Sequence, residues 1–291
     1  MIPEIIHDFF SRQLSVWKEA KENYDTLETI EKKIVISSPY PIYVQFNPRR
    51  IRSTNADLSV KTISERKCFL CDENRPPEQL SGKLIEGYNL LVNPFPIFPY
   101  HLTISSVNHV TQDRWHMEMI DLAYRLKGMV IFFNGASSGA SAPDHLHFQA
   151  VPKKELPLMN YIENNFNEDF FQNEPRLISI FFKFFSGMIR QDINFHENVN
   201  RLYNTRPEDM GYSHSLSNVF FWVDSKNNLR YVIIPRIKHR PDCFFYENDS
   251  RLMVSPGSID LAGVIITPQK EDYEKISSED ILKIFDETVG F

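Results

Sequence analysis

Asp144-His145-Leu146-His147-Phe148-Gln149, reached through Asn134-Gly-Ala-Ser-Ser-Gly-Ala-Ser-Ala-Pro143, is the stretch on which the reading of this chain turns. In an extended strand alternate side chains share a face. That predicts His145, His147 and Gln149 on one ledge, with Leu146 and Phe148 in a core behind it. Two imidazoles and a neutral amide beneath a run of small residues suit phosphoryl chemistry. An imidazole can attack phosphorus, an amide can donate to a phosphoryl oxygen, and a Gly/Ser backbone lets phosphate approach closely. A strand carrying two ordinary histidines is the competing reading of the same letters.

The rest of the composition bounds what such a ledge serves. The 291 residues accommodate two modest domains or one large one, and 42% apolar with 13% aromatic residues supply a core. A formal charge of −6 argues against a nucleic-acid partner, which needs a basic footprint, while leaving room for a small anionic ligand. No run approaches the roughly 20 apolar residues of a membrane span. The opening Met1-Ile-Pro-Glu-Ile-Ile-His-Asp8 lacks the basic-then-apolar layout of a secretory leader, so a cytoplasmic protein without a membrane partner is expected. Three cysteines, two of them in Cys68-Phe-Leu-Cys71, do not make a disulfide framework; in a reducing compartment such a pair binds metal or does redox work. Cys243 reads as a packed thiol.

Along the chain, residues 5–33 read as one or two amphipathic helices, and 34–46 as strands about a Ser-Ser-Pro-Tyr-Pro turn. Tyr88–Val92 and His101–Ser105 read as strands joined by Asn93-Pro-Phe-Pro-Ile-Phe-Pro99, which is too proline-rich for regular structure. Residues 114–129 read as a helix and 130–134 as a strand; 157–210 give no clear pattern. Strands return at 219–223 and 229–235. The expectation is an α+β fold, antiparallel sheets with flanking helices. Two alignments suggest a degenerate duplication. His101–His109 lines up with Tyr231–His239, and Asp144–Pro152 with Asp260–Pro268, placing Leu261 and Gly263 where the first copy has His145 and His147. The division expected is a catalytic half, 1–175, and a degenerate half, 176–291, completing its site.

Cys-x-x-Cys alone is half a metal site. With His109, after a strand, and His145, Cys68 and Cys71 complete a tetrahedral zinc set of structural type. A buried reduced pair and a site that has lost its metal are the alternatives. Arg49, Arg50 and Arg52 suit phosphate binding or simply a solvated turn. Arg236, Lys238, His239 and Arg240 form the densest basic cluster, for a diphosphate or acceptor phosphate, or for the surface.

Taken together, Asp-His-Leu-His-Phe-Gln, the Gly-Ala-Ser segment before it, Cys-x-x-Cys and the strand ending at His109 resemble the histidine-triad (HIT-like) superfamily. Gln149 in place of a third histidine is similar to its transferase and phosphorylase branch, which holds galactose-1-phosphate uridylyltransferases, diadenosine tetraphosphate phosphorylases and GDP-L-galactose (GDP-hexose) phosphorylases. The wording looks closest to the last, helped by Val44-Gln-Phe-Asn-Pro-Arg-Arg50 and Ser255-Pro-Gly-Ser-Ile-Asp-Leu-Ala-Gly263. The resemblance implies a nucleotidyltransferase of phosphorylase type, acting on a nucleoside-diphosphate sugar through a covalent nucleotidyl-histidine. His147 would be the nucleophile, its other ring nitrogen held by a backbone carbonyl near His145, and Gln149 would hold a non-bridging oxygen. Ser141 with the Gly139 and Ala140 backbone would cradle phosphate, Asn134 would fix the loop or touch the nucleotide, and Arg49, Arg236 and His239 would bind substrate. Ser141 stands four residues before His145, where the uridylyltransferase pattern has three, which weakens its assignment. The implied partners are the nucleotide or nucleotide sugar and a phosphate or sugar-phosphate acceptor, in a monomer or homodimer. A dinucleoside polyphosphate phosphorylase, a hydrolase of the same superfamily and a non-enzymatic nucleotide binder are the alternatives.

Overall fold

A computed structural model describes residues 2–172, 174–205 and 207–290. Its eleven strands are β1 (Glu31–Ile36), β2 (Ile42–Phe46), β3 (Tyr88–Val92), β4 (Leu102–Ser106), β5 (Met129–Asn134), β6 (His147–Pro152), β7 (Arg176–Ser179), β8 (Lys183–Ile189), β9 (Ser217–Val223), β10 (Leu229–Pro235) and β11 (Val264–Thr267). Eight of them form one sheet in the order β3-β4-β6-β5-β9-β10-β8-β7, every neighbouring pair antiparallel. The other three form a small sheet in which β2 pairs antiparallel with β1 and parallel with β11. The α+β class and antiparallel character expected from the sequence are therefore found, with one parallel pair added.

The large sheet is buried on both faces, so its central strands carry apolar residues at nearly every position instead of alternating with polar ones. Alternation still decides which core each side chain joins. Val130, Phe132, Val151, Phe220, Trp222, Val232 and Ile234 face one core, which the small sheet and the helices Pro157–Asn165 and Ser278–Thr288 complete. Ile131, Phe133, Phe148, Ala150, Val219, Phe221 and Ile233 face the other, under the helices Glu4–Val16, Glu118–Arg125 and Phe195–Asn204. Residues 114–117, expected in a helix, precede the one that forms at Glu118.

Read inwards from either edge, the sheet repeats itself: β3, β4, β6, β5 meets β7, β8, β10, β9 at the β5–β9 junction, where Asn134 lies opposite Asn218. This relates β6 to β10 and β4 to β8. The two sequence alignments instead matched β4 to β10 and β6 to β11, and β11 belongs to the other sheet. Short apolar strands align with one another whatever their place in a sheet, which is why the pattern misled. On β10 the side chains facing the same core as Val151 of β6 are Val232 and Ile234, so no second imidazole ledge stands there.

Arg236, just beyond β10, ties the C-terminal segments to this junction. Its guanidinium donates to Thr288 O, Pro256 O, Lys238 O, His239 O and Asn218 Oδ1, at 2.8–3.1 Å. All five donors are used within the protein, so the expectation that Arg236 binds substrate is corrected: nothing is left to offer a ligand. Replacing it removes a donor from five acceptors, three of them buried, and leaves Thr288 O with the Ile237 N–H alone. Arg236→Met is expected to lower stability by about 3 kcal/mol or more, read as a lower midpoint in urea unfolding at unchanged slope.

Candidate active site

The β5–β6 ladder ends at Phe132 opposite Gln149. Two residues further, past Phe133 and Phe148, Asn134 and His147 would face each other in the same register, but a side chain stands between them. Gln112, fully buried, accepts the His147 N–H at 2.7 Å and donates from Nε2 to His147 O at 2.9 Å and Asn134 O at 3.0 Å. The two strands part around this amide, which pairs three of the backbone groups they would otherwise expose. Gln112 was missed in the sequence because a single polar residue between two elements carries no periodic signal.

His147 opens β6, and Gln149 follows on the same side; both line a cleft of about 460 Å³, while Leu146 and Phe148 pack into the core behind. His145 does not share their face. The chain is still turning there, with His145 N–H bonded to Ala142 O, and the strand begins only at His147. His147 donates from Nδ1 to His145 O at 2.8 Å, which leaves the Nε2 lone pair for the cleft. Burial pulls its pKa down to about 4, against the bond to His145 O that raises it, so the ring is neutral at physiological pH. Gln149 accepts at Oε1 from His101 Nε2 at 2.8 Å.

The His145 ring turns the other way. Its Nε2–H donates to Ser106 O at 2.9 Å, which directs a lone-pair Nδ1 at Cys68 Sγ, 3.3 Å away, and Cys71 Sγ, 3.6 Å away; His109 Nδ1 lies 3.2 Å from Cys71 Sγ. The four ligand atoms lie within 4.8 Å of one another. Two thiols and two imidazoles at these separations fit a tetrahedral metal ion, and the His145–Ser106 bond supplies the outer contact that sets a ligand's tautomer. An ion pair between Arg66 and Asp144 ties the same segment to the residue before His145.

The loop over the cleft is held by the chain's second half. Asn134 Oδ1 accepts from Asn218 Nδ2, Ser258 N and Ser258 Oγ at 2.7–2.8 Å, which leaves its amide NH₂ on the cleft wall. Gly139, Ala140 and Ser141 line the cleft. Gly139 has φ +93°, and a Cβ there would stand 2.6 Å from Gly257 Cα, so two loops meet backbone to backbone. The Gly139 N–H points at His239 Nδ1, 3.4 Å away, and is therefore partly committed before any phosphate arrives.

Of the basic residues, Arg50, Arg52, His239 and Arg240 line the cleft, whereas Arg49 is exposed and lines a separate recess with Thr26, Glu31 and Phe46. The expectation that Arg49 meets the ligand is not met; its neighbour Arg50 takes that place, donating one Nη1 bond to Phe95 O. His239 carries no charge: burial, with Arg240 and Arg236 beside it, holds its pKa near 3. Asp260, also in the cleft, accepts from Gly257 N and Ile266 N, and burial raises its pKa to about 6.

A family model described as a domain of unknown function (DUF4922) matches residues 9–152, which span the cysteine pair, the proline-rich loop and the His-x-His-x-Gln strand. No curated protein matches the chain. Among solved structures the chain is similar to yeast Ap4A phosphorylase Apa2. In the complex with AMP, and in a second crystal structure of that protein, the TM-score is 0.57 at 16% identity, with 100% of this chain and 99% of that chain covered. The complex with Ap4A gives 0.52 at 15%. The likeness runs through both halves and establishes the fold. No described helix is long and apolar enough to cross a membrane.

If Gln112 holds the strands apart as described, a residue of similar size without its amide is costly. Gln112→Leu is expected to destabilise by about 2–3 kcal/mol, measured by urea unfolding, because the His147 N–H and two carbonyls lose their partners.

Proposed function

We propose that this protein is a nucleotide phosphorylase working through a nucleotidyl group carried on His147. The observation that carries the reading is the state of that ring: neutral, its Nδ1 proton committed to His145 O, and its Nε2 free beside Gln149 in a cleft lined by Arg50, Arg52 and Arg240. Three guanidinium groups on one cleft favour a ligand with several phosphate charges. Whole-length likeness to an Ap4A phosphorylase supports a dinucleoside polyphosphate as the substrate. A GDP-hexose-like nucleotide sugar is the second reading, supported by the His-Leu-His-Phe-Gln wording.

In the first step His147 Nε2 bonds to the α-phosphorus as the bond to the leaving phosphate oxygen breaks, and that oxygen keeps the electron pair. The ring proton stays on Nδ1, where the His145 carbonyl stabilises the positive charge that develops. In the second step inorganic phosphate attacks the same phosphorus. The N–P bond breaks, the electron pair returns to Nε2, and a nucleoside diphosphate leaves. Gln149 donates to a phosphoryl oxygen in both steps. It has no proton to transfer at neutral pH, so it offers water no general base, and the adduct waits for its acceptor.

Zinc is the metal proposed for Cys68, Cys71, His109 and His145, where a closed four-ligand set gives a structural clamp and no open position for chemistry. We read residues 1–175 as the catalytic half and 176–291 as a degenerate copy that holds its loop; Met1 and Phe291 themselves lie outside the described residues.

Two experiments test these readings. Incubating the protein without phosphate against dinucleoside polyphosphates and nucleotide sugars should add one nucleotide's mass to the intact chain; added phosphate should discharge it. His147→Ala should show no adduct and lose about 10⁴-fold or more in turnover, and undiminished turnover would sink the mechanism. Elemental analysis should find about one zinc per chain, lost from Cys68→Ser/Cys71→Ser together with several degrees of Tm.

A further inference from the structure

We infer that His101 is a positioning residue that sets which end of the Gln149 amide faces the ligand, turning an ambivalent side chain into a dedicated hydrogen-bond donor. The inference rests on the nucleotidyl-transfer reading above and adds a residue to it. A glutamine amide has a donor end and an acceptor end of almost equal shape, and nothing in the residue itself chooses between them. Here a chain of contacts chooses.

The chain starts in the proline-rich loop Asn93–Pro99. Its three prolines have no N–H to give a ladder, and four consecutive carbonyls each accept from a side chain elsewhere. Asn23 donates to Pro94 O, Arg50 to Phe95 O, Asn47 to Pro96 O and Gln45 to Ile97 O, at 2.8–3.1 Å. A loop pinned at four successive peptides fixes the direction of the Ile97 N–H, which points at His101 Nδ1, 3.3 Å away. A protonated Nδ1 would meet that N–H donor to donor in a fully buried site. His101 is fully buried, and burial with Arg50 nearby holds it neutral, near pKa 3. A neutral ring with an acceptor Nδ1 has its proton on Nε2. That proton goes to Gln149, 2.8 Å away, so the atom facing His101 is Oε1 and the NH₂ faces the cleft.

The consequence is chemical. A donor aimed at a phosphoryl oxygen stabilises the charge that builds as His147 attacks; the flipped amide would set a carbonyl against that oxygen. His101 touches no ligand in this scheme and acts only through Gln149.

A double-mutant cycle tests it, using the rate of adduct formation without phosphate. Gln149→Ala should slow the step about 10²-fold, as loss of an oxyanion donor does. His101→Phe should slow it about 10-fold or more while nucleotide affinity changes little, because the donor matters most where charge develops. The double variant should be no slower than Gln149→Ala alone; losses that multiply would overturn the inference, since a merely structural His101 would add its own cost. ¹⁵N NMR of the unaltered protein gives a readout independent of these variants. His101 should show a single ring proton, on Nε2, at neutral pH, and an Nδ1–H tautomer or an imidazolium would overturn the inference too. Failure of the wild-type chain to form any adduct would sink the nucleotidyl-transfer reading and leave the tautomer to be decided by NMR.

Discussion

One amide wedge makes the ledge possible. Antiparallel strands normally close on each other residue by residue, and a closed β5–β6 pair would set His147 against Asn134 in an unbroken sheet. Gln112 takes that place and satisfies three backbone groups where the sheet opens. Asn134 then turns its side chain to Asn218 and Ser258, and the Gly/Ser loop leaves the sheet at the height of the His147 ring. The carbonyl of His145 is brought under that ring by the same opening, while the His145 side chain is drawn towards the cysteines. The His147 ring and its acceptor, the loop and the Cys68–Cys71–His109–His145 cluster all hang from this one separation.

The two halves of the large sheet have the same strand order and opposite uses. Between β5 and β6 the chain makes a loop long enough to cover a phosphate. Between β9 and β10 the corresponding connection is a short turn, in which Asp224 caps the Lys226 and Asn228 amides and pairs with buried Arg230. A turn closed on its own carboxylate has no open amides to offer an anion. What the second half contributes instead is support: Asn218, Arg236 and Ser258 converge on the first half's loop from across the junction.

Much of this was legible from a few letters. His-x-His-x-Gln fixed the side of the strand on which the chemistry lies, because period-2 alternation survives in any strand. Cys68, Cys71, His109 and His145 were also legible, since few residue types bind metal and these spacings suit them. The exception within the motif, His145 leaving the ledge, turns on where the strand starts, and strand ends are set by neighbours more than by propensity. Arg236 and Arg49 misled for a related reason. A guanidinium looks the same in sequence whether five protein oxygens already hold it or none do. Gln112, His101 and the four pinned carbonyls belong to networks among residues far apart in the chain, and no local pattern announces them.

The small sheet carries a consequence for how the protein is made. Gln45, one of the four side chains pinning the proline-rich loop, sits on β2, whose parallel partner β11 is the last strand of the chain; Thr267 Oγ1 reaches Gln45 O across 222 residues. Contacts of such long range form late, after the loop-closure entropy has been met. On the ribosome, β2 cannot pair with β11 until the 222 residues from Gln45 to Thr267 have been synthesised. A pairing that closes late therefore bears on Gln149, through Gln45 and the proline-rich loop. A nascent chain can hold its histidines and cysteines ready while the amide between them still points either way.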